Sequence, residues 1–153
     1  MKIMEFLHEK ALCADIKATT KEGVIEELVG LLVDAQVIKD KEKLTKILLE
    51  REALGSTGIG QGVAIPHGKS ESVKKLVAAF GLSQKGVNFD SLDGEPVYIF
   101  FLLVAPEDSA GPHLKALARI SRILKDKYFR DTLRSAKENK IILQIIKQED
   151  VRK

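Results

Sequence analysis

The stretch Val97-Tyr98-Ile99-Phe100-Phe101-Leu102-Leu103-Val104 is apolar throughout, and Pro106 stops it. A strand wetted on one face alternates polar and apolar residues. An unbroken apolar run of this length marks a central strand covered on both faces. Such cover asks for helices, and the chain has them on either side of the run. Before it, Thr19 and Glu22 have the spacing of a capping box, and the stripe Val24, Leu28, Leu31, Leu32 and Ala35 predicts a helix from Lys21 to Ala35. Asp40 suits the N-cap of a second helix, Lys41 to Leu54, with Leu44, Ile47, Leu48 and Leu54 on one face. After it, Gly111, Pro112 and His113 open a third helix, since proline is favoured in a first turn. Leu114, Leu117, Ala118, Ser121 and Leu124 make its inner face, and Lys115, Arg119 and Arg122 a basic, solvated stripe. Tyr128 to Ala136 reads as a short helix. Ser135 and Glu138 repeat capping-box spacing ahead of Ile141, Ile142, Ile145 and Ile146.

Two more strands, Val63 to Ile65 and Leu76 to Leu82, lie between the helical blocks, and Gly86 and Asp93-Gly94 mark turns. Residues 1 to 18 yield only a short strand, Leu12 to Ile16. The expected order is β-α-α-β-β-β-α-α-α, an α/β fold built as a three-layer α/β/α sandwich. At 153 residues it is expected to be one domain, 1–153. Apolar residues make up 44% and charged residues 31%, as in ordinary globular chains. The net charge of +3 is too small to argue for nucleic acid or a membrane surface. The longest apolar run, Val97 to Ala105, falls far short of the roughly 20 residues that span a bilayer. Glu5, His8 and Glu9 interrupt what would be the apolar part of a signal peptide, and Cys13, the single cysteine, cannot pair within the chain. All of this fits a cytoplasmic protein.

The chemistry concentrates between Arg51 and Ser70. Gly55, Gly58, Gly60 and Gly62 crowd a short connection, and the apolar Val63 to Ile65 is stopped by Pro66 and followed at once by His67. A histidine just beyond a short buried strand is held by the strand yet open to solvent. His113 also lies beyond the end of an apolar strand, where sites gather in α/β folds, so the two histidines are placed to face one another. Arg51 falls on the apolar face of its helix. It is either a helix-end cation with its stem on the core or an anion-binding group aimed at the glycines, and spacing alone leaves both open. His8 reads as a surface residue.

Two histidines are too few for zinc without a third ligand, for which Glu107 or Asp108 are the candidates. There is no G-x-S-x-G elbow for a serine hydrolase. Gly58-Ile59-Gly60-Gln61-Gly62 lacks the G-x-G-x-x-G spacing of a dinucleotide site and follows a helix, not a strand. What remains is histidine as a nucleophile toward phosphorus, with Arg51, His113 and loop amides as donors to the charged oxygens. The residues alone leave open that both histidines are structural.

Ser-Thr-Gly-Ile-Gly at 56–60 and Ala-Ile-Pro-His-Gly-Lys at 64–69 closely resemble the IIA components of the fructose/mannitol class of the bacterial phosphotransferase system (PTS). Phe89 to Val97, Pro106-Glu107-Asp108-Ser109 and His113-Leu114-Lys115-Ala116-Leu117 share the likeness, which covers nearly the whole chain. The resemblance implies a mixed sheet between helical layers. It implies a phosphocarrier that accepts a phosphoryl group from the histidine phosphocarrier HPr on Nε2 of His67 and passes it to a cysteine of a IIB component. A membrane IIC component then imports the sugar. His113 and Arg51 are implied to assist, with Thr57 and nearby amides as further donors, and no metal or dissociable cofactor is required. No fused IIB, IIC, HPr or regulatory domain is expected, so the chain would meet the membrane only through IIB and IIC. Ala79 to Ser83 and Tyr98 to Phe101 resemble fructose-type members, which favours a fructose-like sugar. The alternative is a regulatory, nitrogen-related IIA protein that signals through phosphorylation-dependent binding.

Overall fold

The computed structural model describes residues 1–153. A 3-10 turn, Ile3–Glu5, leads into strand β1 (Leu7–Cys13), then helices α1 (Lys21–Asp34) and α2 (Lys41–Ala53). Five strands follow: β2 (Gly58–Gly60), β3 (Val63–Ala64), β4 (His67–Lys69), β5 (Val77–Val87) and β6 (Val97–Ala105). Helices α3 (Ala110–Ile123), α4 (Lys127–Ser135) and α5 (Asn139–Arg152) complete the order.

The sheet runs β1-β5-β6-β3-β2, with β4 also paired to β6. It is mixed. β6 is antiparallel to β5 and parallel to β3 and β4, β1 is parallel to β5, and β2 is antiparallel to β3. The apolar run that suggested a central strand is β6, and its side chains divide by parity, as a pleated strand requires. Ile99, Phe101 and Leu103 pack with Ile120, Ile123, Phe129, Ile142 and Ile146 of α3, α4 and α5. Phe100, Leu102 and Val104 pack with Val24, Leu28, Leu32, Leu44 and Leu48 of α1 and α2. The expected three-layer α/β/α sandwich is therefore the fold. Each core carries an aromatic pair, Phe80 with Phe101 at 4.9 Å and Phe89 with Phe100 at 5.5 Å. Burying each such ring stabilises the fold by about 2–3 kcal/mol.

Several local expectations are corrected. The first strand is Leu7–Cys13, not Leu12 to Ile16; it is an edge strand whose register with β5 shifts between Leu7 and Leu12, which breaks the alternation. The cap of α1 is Thr20, whose hydroxyl accepts from the Gly23 amide, rather than Thr19. Asp40 does cap α2, but that helix ends at Ala53, so Leu54 leaves the apolar face and is 85% exposed. Two short strands, β2 and β4, add to the expected order, and His67 opens β4 rather than following a strand as a loop residue.

The inner face of α3 is His113, Ala116, Arg119, Ile120 and Ile123, while Leu114 is 67% exposed. Arg119 is thus no part of a solvated stripe. It is 5% exposed and paired with Asp150 of α5 at 2.8 Å. Of the expected face, Leu124 is buried and Leu117 packs against the core, so the buried stripe overlaps it but is turned toward His113, Ala116 and Ile120. Ser135 does not cap α5; its hydroxyl donates to the Asp131 carbonyl, and Asn139 instead ties α5 to Leu12 and Ala14.

Candidate active site

Pro66 separates β3 from β4. It has no amide to give to the ladder, so pairing with β6 breaks there and resumes at His67. The carbonyl of Ile65, freed from the sheet, turns to the histidine two residues on: His67 Nδ1 lies 2.7 Å from it. A carbonyl only accepts, so Nδ1 carries the proton in this bond. In the neutral ring, Nε2 therefore holds the free lone pair.

Gly68 faces α2, where a Cβ would meet Ile47 at 3.2 Å and Leu48 at 3.3 Å. By the alternation of a strand, His67 and Lys69 point to the other face. There the first turn of α3 brings His113, with ring centroids 5.4 Å apart and planes at 76°. His113 is 7% exposed, and its Nε2 is buried without a hydrogen-bond partner. Burial pushes its imidazole down from 6.5 to about 4, with the charges of His67 and Lys69 adding to the shift. Burial also lowers His67. The Ile65 carbonyl opposes that shift, Arg51 reinforces it, and Glu52 opposes it. Both rings are thus biased toward the neutral form, which is the nucleophilic one.

The glycine-rich connection is a hairpin. Gln61 and Gly62 join β2 to β3 as a two-residue turn, both with positive φ (58° and 79°), the geometry that primed hairpin turns need. Gly58 lies so close to Ser91 that a side chain there would collide with it. Arg51, in the last turn of α2, donates from Nη1 to the Gly55 carbonyl at 2.8 Å, which leaves other guanidinium donors unused. Thr57 is buried, and its hydroxyl and amide both donate to Glu52. Its hydroxyl is thereby already committed. Glu107 and Asp108, considered as a third ligand beside the histidines, are exposed in the turn before α3, and no three His, Cys, Asp or Glu side chains converge. His8 is half-buried in β1, and its Nδ1 accepts from the Lys10 amide.

Sequence reasoning missed Glu52. It is 6% exposed and also 3.0 Å from Lys21 Nζ. The available signal was its place in the last turn of α2, where the helix dipole disfavours a carboxylate.

A mixed sheet between helical layers, with His67 and His113 facing one another beside its central strand, defines a small α/β protein. The chain belongs to the family described as phosphoenolpyruvate-dependent sugar phosphotransferase system, EIIA 2, whose model matches residues 5–149. It is 40% identical over 150 residues to the PTS system fructose-specific EIIABC component of Bacillus subtilis, a match that covers 98% of this chain and 24% of the relative. It therefore spans about a quarter of that relative's length. It is 35% identical to a nitrogen regulatory protein of Bradyrhizobium diazoefficiens, with 95% of both chains covered. Among solved structures it is similar to the nitrogen regulatory protein IIA-Ntr of Neisseria meningitidis, with a TM-score of 0.85, 34% identity and coverage of 93% of this chain and 97% of that one. The family is a phosphotransfer component of the PTS. No helix here is long and apolar enough to cross a membrane.

Proposed function

We propose that residues 1–153 act as one cytoplasmic domain that carries a phosphoryl group on Nε2 of His67. The bond from His67 Nδ1–H to the Ile65 carbonyl carries this reading, because it leaves Nε2 as the free nucleophile. Phospho-HPr is the donor. Nε2 attacks phosphorus in line as the P–N bond to the donor's histidine breaks, and that bond's electron pair returns to the donor ring. Nδ1 keeps its proton, so the phosphorylated ring is cationic and the Ile65 carbonyl stabilises it. Arg51 neutralises the phosphoryl oxygens with guanidinium donors not used on Gly55. His113 offers its unpartnered Nε2 to the same oxygens as a neutral donor. Onward transfer reverses the geometry: the thiolate of a IIB cysteine attacks phosphorus, and His67 leaves as a neutral ring. A fructose-like sugar, imported through IIC, is supported by the name of the Bacillus relative.

The second reading is a regulatory protein that binds partners according to its phosphorylation state. The Bradyrhizobium relative, matched over nearly its full length, supports it. Intact mass after incubation with phosphoenolpyruvate, enzyme I and HPr tests the shared step. One acid-labile phosphoryl group is expected, absent from His67→Ala; phosphate on the His67→Ala protein would sink the assignment. Transfer onward to a IIB cysteine separates transport from regulation.

A further inference from the structure

Glu52 and Lys21 each sit at the end of a helix whose dipole disfavours their charge. Glu52 is in the last turn of α2 and Lys21 in the first turn of α1. Each compensates the other across 3.0 Å, with the Lys21 ammonium also 5.0 Å from the centre of the Phe89 ring and 3.7 Å from Asp90. A pair placed against both dipoles is a costly way merely to join two helices. What it holds is more specific. Glu52 Oε1 accepts from the Thr57 amide at 3.1 Å, and Oε2 accepts from the Thr57 hydroxyl. The Thr57 carbonyl in turn accepts from the Ile65 amide at 3.1 Å. The Ile65 carbonyl accepts from His67 Nδ1 at 2.7 Å. One unbroken chain of hydrogen bonds therefore runs from Glu52 through Thr57 and Ile65 to the ring of His67.

We infer that Glu52 is a positioning residue: by clamping Thr57 it fixes the Ile65 carbonyl and so holds His67 in the tautomer that frees Nε2. The inference rests on the reading of His67 as the phosphoryl carrier. Glu52 is buried, so it cannot touch the donor protein; it acts on the rate of transfer, not on the docking of HPr. Besides Thr57, the charges that face it are Lys21 of α1 and His67 of β4, with Asp90 reached through Lys21. Its carboxylate also supports the basicity of His67, against Arg51.

The test compares the 153-residue protein with its Glu52→Gln variant. Rapid-quench kinetics with phospho-HPr give the maximal rate and KM, and imidazole ¹⁵N spectra report the His67 tautomer. For Glu52→Gln, the maximal rate is expected to fall about tenfold or more while KM for HPr stays within about twofold, since a misplaced nucleophile costs rate rather than binding. The His67 ¹⁵N shifts are expected to move toward mixed tautomers, and the acid limb of the rate profile toward lower pH. An unchanged spectrum and a rate within about twofold of wild type would overturn the inference. If Glu52→Gln does not fold, Glu52→Asp decides. It keeps the charge beside Lys21 but draws the carboxylate back by one methylene, which loosens both links to Thr57, and an unaltered tautomer there overturns the inference equally. A wild-type protein that takes no phosphate from a competent HPr sinks the carrier reading itself. A phosphorylated wild type with an indifferent Glu52→Gln sinks only the role of Glu52.

Discussion

At His113 the burial that keeps the imidazole neutral also makes folding sensitive to acid. Its proton affinity drops from an ordinary 6.5 to about 4 because the ring is desolvated and faces His67 and Lys69. As pH falls below 6.5, the unfolded chain takes up a proton that the folded chain refuses until about 4, so stability is full above that window and declines through it. His67 is shifted in the same direction. Urea midpoints at about pH 7.5 and about pH 5 are expected to show a larger acid-induced loss in wild type than in His113→Gln. Equal losses would remove His113 as the cause. The residues of this site were partly legible in sequence. His67 stood out because proline and glycine bracket it, and His113 because it opens a helix after an apolar strand. Glu52 did not, because a glutamate near a helix end looks solvated until the neighbouring helix lays a lysine beside it.

Among the elements, β5 and α1 meet with little to spare. A Cβ on Gly81 would lie 2.8 Å from Ile16 Cδ1 and 3.1 Å from Leu28 Cδ2, both on buried core residues. Gly81→Ala is expected to destabilise the protein by about 1–3 kcal/mol through overpacking, read as a lowered urea midpoint with the helical circular dichroism retained. A midpoint unchanged from wild type would mean that α1 can shift away without loss. Helix existence was the most legible feature, since long stripes at helical spacing leave few alternatives. The strands β2 and β4 were not legible. Each is three residues long, too short to show a period, and β4 pairs only with β6, far along the chain.

For the whole molecule, one buried cluster ties the N-terminus to two helices. Asp150 of α5 accepts from the Ile3 and Met4 amides and from Arg119 of α3. Burial opposes its ionisation, yet Arg119 and those amides hold its carboxyl below the usual range. Arg119→Ala leaves that carboxylate without its charge partner, and a loss of about 3 kcal/mol or more is expected in urea unfolding. A loss under about 1 kcal/mol would mean that the two amides suffice. By itself, the sequence determined the layered class, because an apolar strand of nine residues, Val97 to Ala105, must be covered on both faces and amphipathic helices flank it. It also marked His67, because Pro66 stops the apolar run just before it and the permissive Gly68 follows at once. Only the tertiary structure decided the face of α3, the burial of Arg119 and the hydrogen-bond chain from Glu52 to His67. The first two depend on Asp150, 31 residues along the chain, and the last on Thr57 and Ile65 meeting across the β2–β3 hairpin, so the stabilisation that selects them exists only once both sides are packed.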